Sequence, residues 1–124
     1  MELLSIACFA VLGAFARYAQ SRVVQRWLGQ GFPFATLSVN LTGCLCMGVL
    51  FFATAGRMDP LLRGGLLTGG LGSYTTFSTF SLEVVTLLEN RETAKAAGYV
   101  LVSLVGGVAA VALGAMLAHA WRVS

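Results

Sequence analysis

Between Leu3 and Trp121 the chain runs repeatedly through twenty or more residues with almost no charge. A stretch of about 20 apolar residues is long enough to cross a bilayer as a helix. Four such spans are expected, at 3–24, 34–55, 61–88 and 96–121, joined by short polar connections. Arg17 interrupts the first, which ends in Gln20, Ser21, Arg22, Gln25 and Arg26 before Trp27 as an interfacial anchor. Hydrophobic residues make up 57% of the 124 and charged residues 10%, against roughly 25% charged in a soluble domain. This balance excludes a soluble enzyme and a nucleic-acid-binding domain. It also excludes an outer-membrane barrel, whose strands would alternate polar and apolar positions. The expected fold is an all-α membrane protein, one four-helix transmembrane domain over 1–124. The net charge of +3 describes the loops, where Lys and Arg gather beside headgroups.

The N-terminal span has small residues at Ala14 and Ala16, but Glu2 stands where a signal peptide needs positive charge, so it is expected as a retained helix. Cys8, Cys44 and Cys46 all lie in apolar runs and are expected as small buried hydrophobes. Cys44 and Cys46 point to different helix faces, and His119 is the sole histidine, so no Cys/His metal site is available. Gly65 with Gly69, and Gly106, Ala110 and Gly114, recur at helical spacing and allow close helix approach, within one subunit or between two. With four spans, Arg57, Arg63 and Arg122 share one side; Arg22, Arg26, Arg91 and Lys95 lie opposite. That bias hardly selects an orientation, so insertion both ways is an open option.

The segment Gly69-Gly-Leu-Gly-Ser-Tyr-Thr-Thr-Phe-Ser-Thr-Phe-Ser81 falls in the middle of the third span. It combines three glycines with six Ser and Thr residues and Tyr74, which a lipid-facing helix does not need. The glycines favour unwinding, and unwound backbone at membrane depth persists only inside protein or beside a wet cavity. A broken third helix is therefore expected, with amides and carbonyls free for ions. Phe77 and Phe80, three apart, share a face after the break. Aromatic edges are positive, so two of them can attract a small anion without trapping it.

Asn40 lies in the middle of the second span, with Thr36 one turn before it. Its amide must face protein or water; it serves either as an anion donor or as an interhelical tie. Ser103 and Tyr99 offer hydroxyls in the last span with the same two readings. Glu83 is expected to snorkel to the interface, while Arg17 is a candidate vestibule charge that concentrates anions.

The run Gly70 to Glu83 closely resembles the signature of the Fluc (CrcB) fluoride channel family. Leu12-Gly-Ala-Phe-Ala-Arg17 and Thr36-Leu-Ser-Val-Asn40-Leu-Thr-Gly43 support it. The resemblance covers essentially the whole chain. It implies a dual-topology antiparallel homodimer in the bacterial inner membrane, with two pores that pass fluoride passively and confer fluoride resistance. By that resemblance Phe77 and Phe80 are the pore phenylalanines and Asn40 the pore amide. Thr79 belongs to the polar track, with Ser103 and Tyr99 from the fourth helix. A structural sodium ion at the dimer centre is implied, held by the backbone carbonyls of Gly72 and Thr75. Ser73 replaces a frequent second glycine, Tyr74 a common leucine, and Gly107 a serine of some relatives. The rival is a small multidrug-type proton-coupled antiporter, also a dual-topology dimer. Its chemistry needs a membrane-embedded carboxylate, typically in the first helix, where this chain has Arg17 and no acid beyond Glu2.

Overall fold

The computed structural model describes residues 1–123 and is helical, with no strand among them. Helix α1 covers Glu2–Leu28 and α2 covers Phe34–Ala53. The segment expected as the third span is built from α3 (Pro60–Gly64), a π-helical stretch Gly65–Leu71, α4 (Gly72–Tyr74) and α5 (Phe77–Glu89), none of them long enough alone to cross a membrane. Helix α6, Thr93–Val123, completes the chain. By length and composition α1, α2 and α6 are each apolar enough to cross a membrane. Helices α1 and α6 run beyond the apolar spans expected from sequence. Their polar end turns stay wound, with Glu2 in the first turn of α1 and Arg26 in the last, both complementing the helix dipole.

Each end of the bundle is closed by polar contacts that local sequence supplies. Asp59 caps α3, its Oδ1 accepting from the Leu61 and Leu62 amides, and Pro60 takes the first helical position, where no amide partner is needed. Ser5 Oγ donates to the Leu61 carbonyl at 3.1 Å, which sets the start of α1 beside the start of α3. Arg63 Nη2 and Arg122 Nη1 donate to the carbonyls of Phe51 and Phe52 at 3.1 and 3.0 Å. These last-turn carbonyls of α2 have no helical donor, so two guanidinium groups from different helices complete its end. At the opposite end Lys95 pairs with Glu92 at 3.0 Å and donates to the Gly31 carbonyl. That exposed pair contributes little.

The glycines of the third span act differently from the expectation. They do not unwind the helix; Gly65–Leu71 stays wound in the wider π form. Their missing side chains instead bring α1 against the third span. A Cβ on Gly69 would overlap the Ile6 carbonyl, one on Gly65 the Ser5 and Phe9 side chains, and one on Gly13 the Gly70 carbonyl. The pairing of α2 with α6 follows the same logic: a Cβ on Gly48 would overlap the Val111 carbonyl, and one on Gly114 the Leu45 carbonyl. The glycines expected either within or between subunits thus serve packing inside this chain. Close backbone approach is what holds helices together where lipid supplies no hydrophobic drive.

Two small buried clusters result. Val39, Leu67, Leu71 and Tyr74 form one, and Leu87, Ala96 and Tyr99 the other. Most other large apolar side chains face outward, as Phe15, Leu104 and Val108 do. Cys8 is also exposed rather than buried, because it sits on the outer face of α1. Cys44 and Cys46 are half-buried.

Gly114→Ala is expected to destabilise the bundle by about 1–3 kcal/mol, since backbone atoms of α2 must move. Gly98→Ala, which meets nothing within 4 Å, is expected to leave stability unchanged or raise it. Thermal unfolding of both variants in detergent checks the pair.

Candidate functional site

Helical dihedrals stop at Thr75 and Thr76, whose backbones are extended (ψ 160 and φ −150). The break is fastened by side chains from two other helices. Asn40 holds both backbone polar groups of Thr76: Nδ2 donates to the Thr76 carbonyl at 3.1 Å, and Oδ1 accepts from the Thr76 amide at 2.9 Å. Thr76 in turn caps α5, its Oγ1 accepting the Thr79 amide at 3.2 Å. Ser73 Oγ donates to the Ala10 carbonyl at 2.8 Å, and the Tyr74 hydroxyl donates to Gln20 Oε1.

These caps release two specific carbonyls. In an unbroken helix the Thr76 amide would close on Gly72 and the Thr79 amide on Thr75. Asn40 takes the first and the Thr76 hydroxyl takes the second, so the Gly72 and Thr75 oxygens lose their helical donors. No group of three or more His, Cys, Asp or Glu side chains is assembled among the described residues.

Two clefts meet at Thr76. One, of about 340 Å³, has largely apolar walls and is lined by Asn40, Thr75, Phe77, Phe80 and Ser103. The Phe77 and Phe80 ring centroids are 5.9 Å apart with planes tilted by 38°. Phe77 is 80% exposed, while Phe80 is half-buried against Tyr99, with ring centroids 5.0 Å apart. The other cleft, of about 330 Å³, is lined by Arg17, Ser21, Gln25, Thr36, Thr79 and Glu83. It adjoins a third cavity of about 490 Å³ that shares Gln25 and Glu83 and opens among loop residues Gln30, Pro33 and Asn90. Polar groups thus lead from the loop end inward to the break.

The residues singled out from sequence divide between these spaces. Asn40, Thr75, Phe77, Phe80 and Ser103 come together in the first cleft; Arg17 and Thr79 line the second. Gly72 opens instead onto a groove beside Met47, Leu67 and Thr68. Tyr99 is fully buried behind Phe80 and lines neither of the two clefts. Its hydroxyl donates to Glu83 Oε2 at 2.7 Å, and Thr36 Oγ1 donates to Glu83 Oε1 at 2.8 Å. Glu83 therefore does not snorkel: two hydroxyls from α2 and α6 hold it inward. The signal was present in the spacing, because Thr76, Thr79 and Glu83 stand at i, i+3 and i+7 on one face of α5.

The profile of the CrcB family, described as CrcB-like protein, Camphor Resistance (CrcB), matches residues 4–115. The chain belongs to the CrcB family. Among CrcB relatives, the fluoride-specific ion channel FluC of Acidithiobacillus ferrooxidans is 56% identical over 116 residues, covering 92% of this chain and 93% of its own. The protein of the same name from Paracoccus denitrificans is 49% identical, with 90% and 89% covered. Fluoride-specific ion channel FluC 2 of Listeria innocua is 42% identical, with 92% and 88% covered. The CrcB match includes the break, the Asn40 clamp and every residue of the two central clefts. All these features therefore lie in the part of the chain that defines its family.

In this CrcB chain Asn40→Leu leaves the Thr76 N–H without a partner and removes one donor from the Thr76 carbonyl, which as the N-cap carbonyl keeps the first helical bond of α5. Unpaired groups of this kind cost about 1–3 kcal/mol each. The variant is expected to lose about 1–3 kcal/mol in detergent unfolding. Thr42→Val, at an exposed position of the same helix, is expected to lose much less.

Proposed function

We propose that this chain is a passive, fluoride-selective channel of the bacterial inner membrane that exports cytoplasmic fluoride and gives fluoride resistance. The observation that carries the reading is the pair Phe77 and Phe80 on one cleft with Asn40 and Ser103, beside a helix break at membrane depth. The FluC names of the CrcB relatives support the choice of ion.

The chemistry of the cleft suits a small, strongly hydrated anion. One Asn40 N–H holds Thr76, and the second remains a donor for the cleft. Ser103 adds a hydroxyl, and the ring edges add partial positive charge. None of these groups is a cation, so an ion that enters can also leave. Arg17 in the adjoining cleft raises the local anion concentration, and Thr79 with the Thr76 hydroxyl carries the polar track between clefts. Tyr99 supports Phe80 from behind and orients Glu83.

The functional unit in this reading is an antiparallel, dual-topology homodimer with two pores. Its support is the exposure of Gly72, Phe77, Ser78 and Thr79 on the protomer surface at membrane depth, where lipid cannot satisfy polar groups. A second copy covers them. The weak bias of Lys and Arg between the two ends, three against four, lets both orientations insert. A structural sodium ion at the dimer centre fits the same surface. The Gly72 and Thr75 carbonyls, stripped of helical donors, would hold it, and it supplies positive charge that links the two broken helices.

Fluoride efflux from liposomes, read with an electrode beside a chloride control, tests the reading. Rapid fluoride release without chloride release or a proton gradient is expected; release that requires a proton gradient would instead favour the coupled antiporter and direct attention to Glu83. Phe80→Ile is expected to lower fluoride flux about 100-fold, roughly 2.7 kcal/mol at the barrier, while the dimer still assembles. Exhaustive replacement of sodium by N-methylglucamine is expected to reduce flux, whereas replacement of chloride leaves it intact.

A further inference from the structure

Residues 72–75 lie between the two carbonyls released by the break, and one contact there has no part in the pathway described above. The Tyr74 side chain leaves the break on the side of α1 and α2 and is buried, 8% exposed, against Val39 and Leu71. Its ring lies over Gly43, where a Cβ would come within 3.3 Å of ring carbon. The Tyr74 hydroxyl donates to Gln20 Oε1. Gln20 Nε2 in turn reaches Ser38 Oγ at 3.3 Å and Thr42 Oγ1 at 3.4 Å, and Ser38 is anchored to the Ala35 carbonyl at 2.8 Å. One residue of the break is thus tied through a single glutamine to two turns of α2.

We propose that Gln20 and Tyr74 are positioning residues that fix the direction of the Gly72 carbonyl relative to the Thr75 carbonyl and so set how tightly the break holds a cation. The inference rests on the sodium reading given above. Asn40 holds the Thr76 N–H and, through the rigid 75–76 peptide, sets the plane of the Thr75 carbonyl, but neither Asn40 nor Thr76 reaches the residues that carry the Gly72 carbonyl. With extended backbone starting at Thr75, rotation about the residues between 72 and 75 would swing one oxygen away from the other. The Tyr74 bond to Gln20 stops that rotation at residue 74, and the Ser73 bond to the Ala10 carbonyl, earlier in the same helix α1, stops it at residue 73. Burial of the Tyr74 ring makes the tie stiff, and a hydrogen bond at membrane depth faces little competition from water. A leucine at position 74 could fill the same space but could not hold Gln20.

Tyr74→Phe removes one oxygen and keeps the packing, so it is the decisive variant; Gln20→Leu breaks the same tie from the other side. Two readouts are taken on the purified protein in detergent or liposomes. One is the sodium concentration for half-maximal fluoride flux, with N-methylglucamine keeping ionic strength constant. The other is the rise in melting temperature that sodium produces. Either single variant is expected to raise the sodium requirement at least fivefold and shift the melting-temperature response to the same higher concentrations. The double variant is expected to raise the sodium requirement no further than Gln20→Leu alone, because each change severs the Tyr74–Gln20 bond, although Gln20→Leu also removes the bonds to Ser38 and Thr42. A lower melting temperature at every sodium concentration, with an unchanged sodium requirement, would overturn the positioning role and leave the cation reading intact. A wild-type protein whose flux and melting temperature both ignore sodium would overturn the cation reading and this inference together.

Discussion

Backbone amides and carbonyls inside a bilayer have no water to turn to, and the structure is organised around the one place where a helix leaves some of them loose. At Thr76 the N–H and the C=O of a single residue both meet a single side chain, the amide of Asn40. No shorter polar residue could span both groups, and no apolar residue could satisfy either. Everything functional is adjacent to that clamp. It frees the Gly72 oxygen, starts α5 at Phe77, and through α5 places Phe80 and Glu83. The clamp and the cap on Thr79 leave donors and ring edges facing one cleft and two backbone oxygens without helical donors.

The glycines make this possible from a distance. Because Gly69 and Gly65 carry no side chain, α1 sits directly on the third span, and Ser73 can reach the Ala10 carbonyl. Because Gly48 and Gly114 carry none, α2 and α6 meet backbone to backbone, which brings Asn40 and Ser103 to one cleft. Dispersion contacts accumulate along these seams in the absence of a hydrophobic drive. The result is a protomer with few fully buried large side chains, Tyr99 and Val39. It is held by seams and polar ties more than by a central core.

Glu83 shows how a charged group lives in such a framework. Two hydroxyls, from Thr36 and Tyr99, point at its two oxygens. Each of the three residues comes from a different helix, so the carboxylate fixes α2, α5 and α6 around the mouth of the Arg17 cleft. A charge this close to the membrane is costly unless paired or hydrogen-bonded. Here neutral hydroxyls satisfy it, and Arg17 remains in the same cleft.

Much of this was legible from residues alone. Apolar run length requires membrane helices, and the crowding of hydroxyls and glycines between 69 and 81 marks where the third span departs from a plain helix. Both follow from composition and local spacing, since lipid tolerates neither charge nor loose backbone. The place of the break was not legible. It falls after the glycines, at Thr75 and Thr76, because the glycines are used in packing against α1 and the partner for a loose peptide sits at Asn40, 36 residues away. Which hydroxyls face which cleft, and whether Glu83 points in or out, depend on the same long-range contacts. Sequence determined that this chain must cross a membrane and must interrupt one helix there. Only the tertiary structure decided which peptide is left open, because that choice belongs to whichever side chain of another helix can satisfy it.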